Sequence, residues 1–116
     1  MLNELDLDHV AAELPIACKL SGDELAERGE EVDELFKEVE QVRELADGYA
    51  FRFAGTAAMA SRLLAFTLVE RGCCPFFTFE FVFEPNEGPI WVRLRGAEGV
   101  KEFVASNVGE VIAAHS

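Results

Sequence analysis

The sequence predicts an α+β protein, a two-layer sandwich in which helices cover one face of a four-stranded mixed sheet. Two patterns carry this prediction: segments with apolar residues at helical spacing, and runs in which apolar and polar residues alternate strictly. The chain has 116 residues, is half hydrophobic and contains ten Phe, which suits one domain with a packed core. We predict the order β-α-β-α-β-β-α in a single domain over residues 15–116, preceded by an acidic arm over residues 1–14.

The first half of the predicted domain holds a short strand at residues 16–20 and a long acidic helix. Ser21 and Glu24 match a capping box, in which the two side chains satisfy free backbone donors at the start of a helix. An apolar stripe follows at intervals of seven: Leu25, Val32, Val39. We expect this helix to run to about Ala46, because Asp47-Gly48 is typical of a helix end.

The middle of the chain predicts a strand, a helix and a cysteine-bearing corner. Residues 49–53 alternate aromatic and small or polar side chains, which favours a half-buried strand. Residues 57–71 form a predicted helix that is apolar on more than one side, and Pro75 prevents its continuation. The adjacent Cys73 and Cys74 therefore lie at the exit of this helix, just before the next strand.

The strongest alternating pattern predicts a β-hairpin between residues 77 and 95. Pairing Phe83 with Ile90 places apolar residues opposite one another on one face and Glu80 opposite Arg93 on the other. A shift by one residue would place Phe opposite Arg, so this register is favoured. The face away from the helices is then lined by a polar set: Arg52, Glu80, Trp91, Arg93, Arg95. A last amphipathic helix is expected from residue 99 onward, with a weak point at Gly109.

The acidic charge is concentrated in one part of the chain. The formal net charge is −12, of which residues 1–48 contribute −11 and residues 49–116 contribute −1. Binding to nucleic acid requires clustered positive charge, so the sequence predicts no nucleic-acid partner. The N-terminus lacks the features of a secretory signal, and the longest apolar stretch is too short to cross a bilayer. Three cysteines, two of them adjacent, are atypical of a disulfide-rich secreted domain, so we expect a cytoplasmic protein with no membrane partner.

Cys73 and Cys74 are the most distinctive candidate site. With Cys18 nearby on the first predicted strand, they could supply up to three sulfurs to a soft metal or metalloid, with Glu70 and Arg71 alongside. The chain lacks a Cys-x-x-Cys pair, so structural zinc is not predicted, and no cofactor is assigned. Two alternatives stay open: the cysteines pack the core as small apolar residues, or one acts as a nucleophile. The end of a helix disfavours the thiolate that a nucleophile needs.

The polar face of the sheet is the second candidate. Trp91 beside Arg52, Arg93 and Arg95 would suit a carboxylate or phosphate ligand. The same face is complementary in charge to the acidic helix of a second copy or of another protein, which would make a homodimer or a partner-binding scaffold. The remaining alternative is a solvated face whose charges pair across strands, as Glu80 and Arg93 would.

One stretch resembles a known family. Residues 70–80 follow the pattern E-R-x-C-C-P-F-x-x-F-E, and residues 99–103 read G-V-K-E-F. Both patterns are similar to those of a family of small uncharacterised prokaryotic proteins, over roughly residues 15–105. The resemblance implies no catalytic role, but it marks four positions as part of the shared pattern: Glu70, Cys73, Cys74, Glu80.

The sequence thus predicts a binding module with a thiol site at Cys73 and Cys74 for a soft metal or a thiol-reactive small molecule. The alternative is the homo-oligomeric or partner-binding scaffold described above. A second alternative is a small enzyme with Glu70 or Glu80 as a general base, although no nucleophile triad, phosphate-binding loop or His-Glu-x-x-His pattern is present. A binding function is favoured over catalysis.

Overall fold

A computed structural model describes residues 22–115 and confirms the α+β fold. The elements in chain order are α1 (Gly22–Phe36), β1 (Gln41–Leu45), β2 (Gly48–Phe53), α2 (Ala57–Cys73), β3 (Thr78–Phe83), β4 (Ile90–Arg95), α3 (Val100–Asn107) and α4 (Gly109–Ala114). The predicted acidic arm, the strand at residues 16–20 and Ser21 of the capping box lie outside the described residues.

The four strands form one sheet in the order β1-β2-β4-β3, and every neighbouring pair is antiparallel. The prediction of a mixed sheet is therefore wrong for the described strands. The chain instead places two helix–hairpin units in succession, α1-β1-β2 and α2-β3-β4, and β2 pairs with β4 at the centre. Each hairpin contributes one central and one edge strand.

The long acidic helix is shorter than predicted. Helix α1 ends at Phe36, and residues 41–45 form strand β1, whose Val42 pairs with Phe51. The turn at Ala46-Asp47 closes a hairpin rather than capping a helix, because Leu45 and Gly48 are already paired. Residues 37–45 are rich in helix-forming Glu, Lys and Gln, so strand pairing overrides the local helix propensity here.

The second half of the fold follows the prediction closely. Helix α2 begins after Thr56, whose Oγ1 accepts a hydrogen bond from the Met59 amide at 3.0 Å, and it ends at Cys73. The β3–β4 hairpin has the predicted register, with Phe83 opposite Ile90 and Glu80 opposite Arg93. The final helix is broken at Val108, one residue before the predicted weak point.

Helices α1, α2 and α3 all contribute buried residues to a core on one face of the sheet, as predicted. The core joins the aromatic face of β2 to residues of α1, α2 and α3, and the Phe36 ring lies at its centre. That ring makes edge contacts with Phe51, Phe53 and Phe66 at centroid distances of 5.0, 5.9 and 5.7 Å. Among residues 22–115, no helix combines the length and the apolar composition needed to cross a bilayer.

Candidate functional site: a buried thiol–carboxylate cluster

Three potential metal ligands meet at the end of helix α2. Glu70 and Cys73 are three residues apart, so they share one face of the last helical turn. Cys74 follows as the capping residue, and its amide donates a hydrogen bond to the Glu70 carbonyl at 2.6 Å. All three residues are buried, with 8%, 5% and 4% of their surface exposed. The helix end thus directs a carboxylate and two sulfurs into the protein interior.

The side-chain atoms of this cluster are close enough to bind one ion. The Cys73 Sγ lies 3.7 Å from the Glu70 Oε1 and 3.9 Å from the Cys74 Sγ, and one ligand atom from each residue falls within 4.8 Å of the others. A disulfide would hold the two sulfurs at about 2.05 Å, so Cys73 and Cys74 are not bonded to each other. The two sulfurs can therefore both act as ligands. Cys18, the third cysteine of the prediction, lies outside the described residues.

Arg28 of helix α1 completes the cluster. Its Nε donates to the Glu70 Oε1 at 3.0 Å and its Nη2 donates to the Phe66 carbonyl at 3.2 Å, while Nη1 contacts Glu31. The Arg28 and Glu70 side chains are each only 11% exposed. Burial lowers the pKa of Arg28, but hydrogen bonds from its guanidinium to Glu31 and Glu70 outweigh burial and leave that pKa raised. Arg28 therefore stays charged and fixes the orientation of the Glu70 carboxylate.

Sequence reasoning missed Arg28 and named Arg71 as the base beside the thiols. Arg28 precedes Glu70 by 42 residues. The one signal in the sequence that could have identified Arg28 is that α1 has a single basic residue and seven acidic ones. Arg71, predicted to lie alongside the thiols, is instead exposed. It borders a surface depression with Leu64, Thr67 and Phe79.

A cavity of about 120 Å³ adjoins the cluster between α1, α2 and α3. Glu70 and Cys74 line it, whereas Cys73 does not. Arg28 also lines it, and the rest of the interior wall is mainly apolar: Val32, Phe36, Phe66, Phe77, Phe103, Val104. Gly29, Asp33 and Asn107 also line the cavity and are exposed, so they form its mouth. Small molecules and ions thus have a route from solvent to one carboxylate and one sulfur.

The second predicted site lies on the opposite face of the sheet, where the charges largely pair with one another. Arg93 and Arg95 contact the Glu80 carboxylate at 3.2 and 3.0 Å, and Arg95 also contacts Asp47 at 3.0 Å. These hydrogen bonds to Asp47 and Glu80 raise the pKa of Arg95. Arg52 forms an ion pair with a glutamate that precedes β1, Glu40, at 3.2 Å.

Trp91 is also engaged within this face. The Arg43 guanidinium lies 4.6 Å above its ring, and the indole Nε1 donates to Glu84 at 2.6 Å. Only 7% of Trp91 is exposed. The five predicted residues do share one surface, but the groups that would recognise an external anion or an acidic helix already have partners within this chain.

Comparison of the chain with models of protein families, with curated proteins and with solved structures found no match. Interpretation of the site therefore depends on its own geometry and chemistry.

Proposed function

We propose that this protein binds a thiophilic ion through Glu70, Cys73 and Cys74. The observation that carries the proposal is the convergence of three buried ligand atoms within 4.8 Å of one another. Soft ions prefer thiolate sulfur, and a carboxylate oxygen is an acceptable third ligand. Burial of all three side chains limits the contact of the ligand atoms with bulk water to the cavity beside Glu70 and Cys74.

The spacing of the ligand atoms supports this proposal. Zinc-like bond lengths are about 2.3 Å from metal to sulfur and about 2.1 Å from metal to oxygen. With tetrahedral geometry, two sulfur ligands then lie about 3.8 Å apart, and a sulfur and an oxygen ligand lie about 3.6 Å apart. The corresponding distances here are 3.9 and 3.7 Å. Cd²⁺ forms slightly longer bonds than these, which would set each pair slightly farther apart, and the third pair, the Cys74 sulfur and a Glu70 oxygen, lies within 4.8 Å. A modest adjustment of the side chains is therefore enough to coordinate an ion such as Cd²⁺.

The charge of the site also supports a divalent ion. Two thiolates and the Glu70 carboxylate carry three negative charges, while a divalent ion and the Arg28 guanidinium carry three positive charges. A buried site is stable only when its charges are balanced. The negative end of the α2 dipole also disfavours free thiolates and favours a bound cation.

Titration of the reduced protein with Cd²⁺ tests the proposal. We expect one ion per chain and a cadmium–thiolate absorption band in the ultraviolet. Cys73→Ser or Cys74→Ser should greatly weaken the binding, because each removes one of two sulfur ligands and leaves the other. Glu70→Gln should weaken the binding by at least about tenfold, since a neutral amide replaces the anionic ligand and the loss should be no smaller than that for a residue that only supports a ligand.

Two variants serve as matched controls. Glu31→Gln removes a carboxylate that also contacts Arg28 but is exposed, and it should leave Cd²⁺ affinity unchanged. Cys18→Ser removes a cysteine outside the proposed set of ligands. Binding that survives loss of both Cys73 and Cys74, or thiols that react with reagents only after denaturation, would contradict the proposal.

A further inference from the structure

We infer that the natural ligand of this site is an organic derivative of a thiophilic element, whose small apolar group occupies the cavity beside Cys74. The inference rests on the proposed function and specifies its ligand class. A trivalent monoorganoarsenical, R–As(OH)₂, is the simplest member of the class, because it has two exchangeable positions for two thiols and one fixed carbon substituent.

The cavity is the first support for an organic group. A bare ion would occupy only the position between the two sulfurs and the Glu70 carboxylate. The adjoining space of about 120 Å³ has a mainly apolar wall. Besides Glu70, the charged groups that line it are the Arg28 guanidinium, which repels cations, and Asp33 at its exposed mouth. An apolar cavity of about 150 Å³ in a protein is enough for benzene. This space is somewhat smaller but open at its mouth, so it suits a short alkyl chain, or a single ring whose edge extends into the mouth.

The position of Cys74 is the second support. Cys74 lines the cavity and its sulfur is 3.9 Å from that of Cys73, which does not line it. An arsenic atom bonded to both sulfurs would therefore lie at the inner end of the cavity. Its carbon substituent could then extend between Phe66 of α2 and Phe103 of α3, which both line the wall.

The exchange reaction is balanced and needs no oxidant. Two As–O bonds break and two As–S bonds form, while each thiol proton leaves with a hydroxide as water. Arsenic keeps its trivalent state, and the bound product is uncharged. The Glu70–Arg28 ion pair is then retained, so the buried site is electrically neutral both before and after binding.

The test compares inorganic arsenite with phenylarsonous acid, C₆H₅–As(OH)₂, each in competition with dithiothreitol. For each compound, the affinity for the protein is divided by the affinity for dithiothreitol. This ratio removes the difference in As–S bond strength between the two compounds. We expect this ratio to be at least about tenfold higher for phenylarsonous acid, because the phenyl ring leaves water for the cavity. Equal ratios would overturn the inference.

Two substitutions locate the organic group. Val32→Phe fills the cavity and should lower the affinity for phenylarsonous acid by about tenfold, while the Kd for Cd²⁺ changes by less than about twofold. Val42→Phe is the matched control, since Val42 is also half-buried but does not line the cavity. If Val32→Phe does not fold, the ratio of affinities for phenylarsonous acid and arsenite, measured on the natural chain, still tests the inference. Tight binding of Cd²⁺ without preference for the phenyl compound refutes this inference alone, whereas failure of both ligands to bind refutes the proposed function as well.

Discussion

Arg28 joins helix α1 to the candidate site. Its guanidinium contacts both the Glu70 carboxylate and the Phe66 carbonyl of α2, and it lies 5.2 Å from the centroid of the Phe66 ring. A buried ion pair of this kind adds little net stability, because desolvation offsets most of the attraction. Removing one partner, however, leaves the other charge buried and unpaired.

We therefore predict that Arg28→Met destabilises the protein by about 2–4 kcal/mol in urea unfolding. The double variant Arg28→Met/Glu70→Gln should recover at least half of this loss, because it leaves no unpaired charge. Additive effects of the two substitutions would show that the ion pair is not coupled and would contradict this account.

Sequence reasoning groups the three proposed ligands of the site but misses Arg28, which contacts one of them. Glu70, Cys73 and Cys74 can be grouped from local spacing, because a single helix end sets their relative positions. The contact to Arg28 spans 42 residues and depends on how α1 packs across α2. No periodic pattern within either helix encodes that packing.

At the scale of elements, the two hairpins differ in how far the sequence predicts them. In β3–β4 both faces constrain the register, since Phe would otherwise meet Arg, and the predicted pairing is confirmed. In β1–β2 the first strand is rich in residues that favour helices, and only Val42 indicates from the sequence that the strand pairs with a buried neighbour. Asp47-Gly48 is compatible with a helix end or with a hairpin, so the error in the extent of α1 came from an ambiguous turn.

Gly48 is essential to the central pairing of β2 with β4. A β-carbon at this position would lie 1.9 Å from the carbonyl oxygen of Leu94, which is backbone and cannot move aside. We predict that Gly48→Ala lowers the free energy of unfolding by more than about 2 kcal/mol.

Gly29→Ala provides the contrast. Gly29 lies within helix α1, where a β-carbon would meet nothing within 4 Å. Alanine there should raise the free energy of unfolding by up to about 1 kcal/mol, because it has the higher helix propensity. Urea unfolding of both variants checks the pair, and a stable Gly48→Ala protein would contradict the described pairing.

In the molecule as a whole, the uneven distribution of charge places acidic side chains near the entrance to the candidate site. All seven acidic residues of α1 are exposed, and one of them, Asp33, lies at the mouth of the cavity. A surface of one sign concentrates counter-ions near it and raises the rate at which they associate. The acidic helix is therefore expected to attract cations toward the thiol cluster.

This steering predicts a salt-dependent rate of binding. Raising a non-coordinating salt such as sodium perchlorate from about 0.01 M to about 0.15 M should slow the association of Cd²⁺ several-fold, because the screening length falls from about 30 Å to about 8 Å. Phenylarsonous acid is uncharged near neutral pH, so its association rate should not change. Equal salt effects on the two ligands in stopped-flow measurements would exclude electrostatic steering.

The most direct test of the thiol–carboxylate cluster as an ion-binding site is X-ray absorption spectroscopy of the cadmium-loaded protein. Two sulfur atoms and at least one oxygen atom bonded to cadmium are predicted, with the loss of one sulfur in Cys73→Ser and in Cys74→Ser. A cadmium ion bonded to oxygen or nitrogen alone, or a sulfur count unchanged in both variants, would contradict the proposed site.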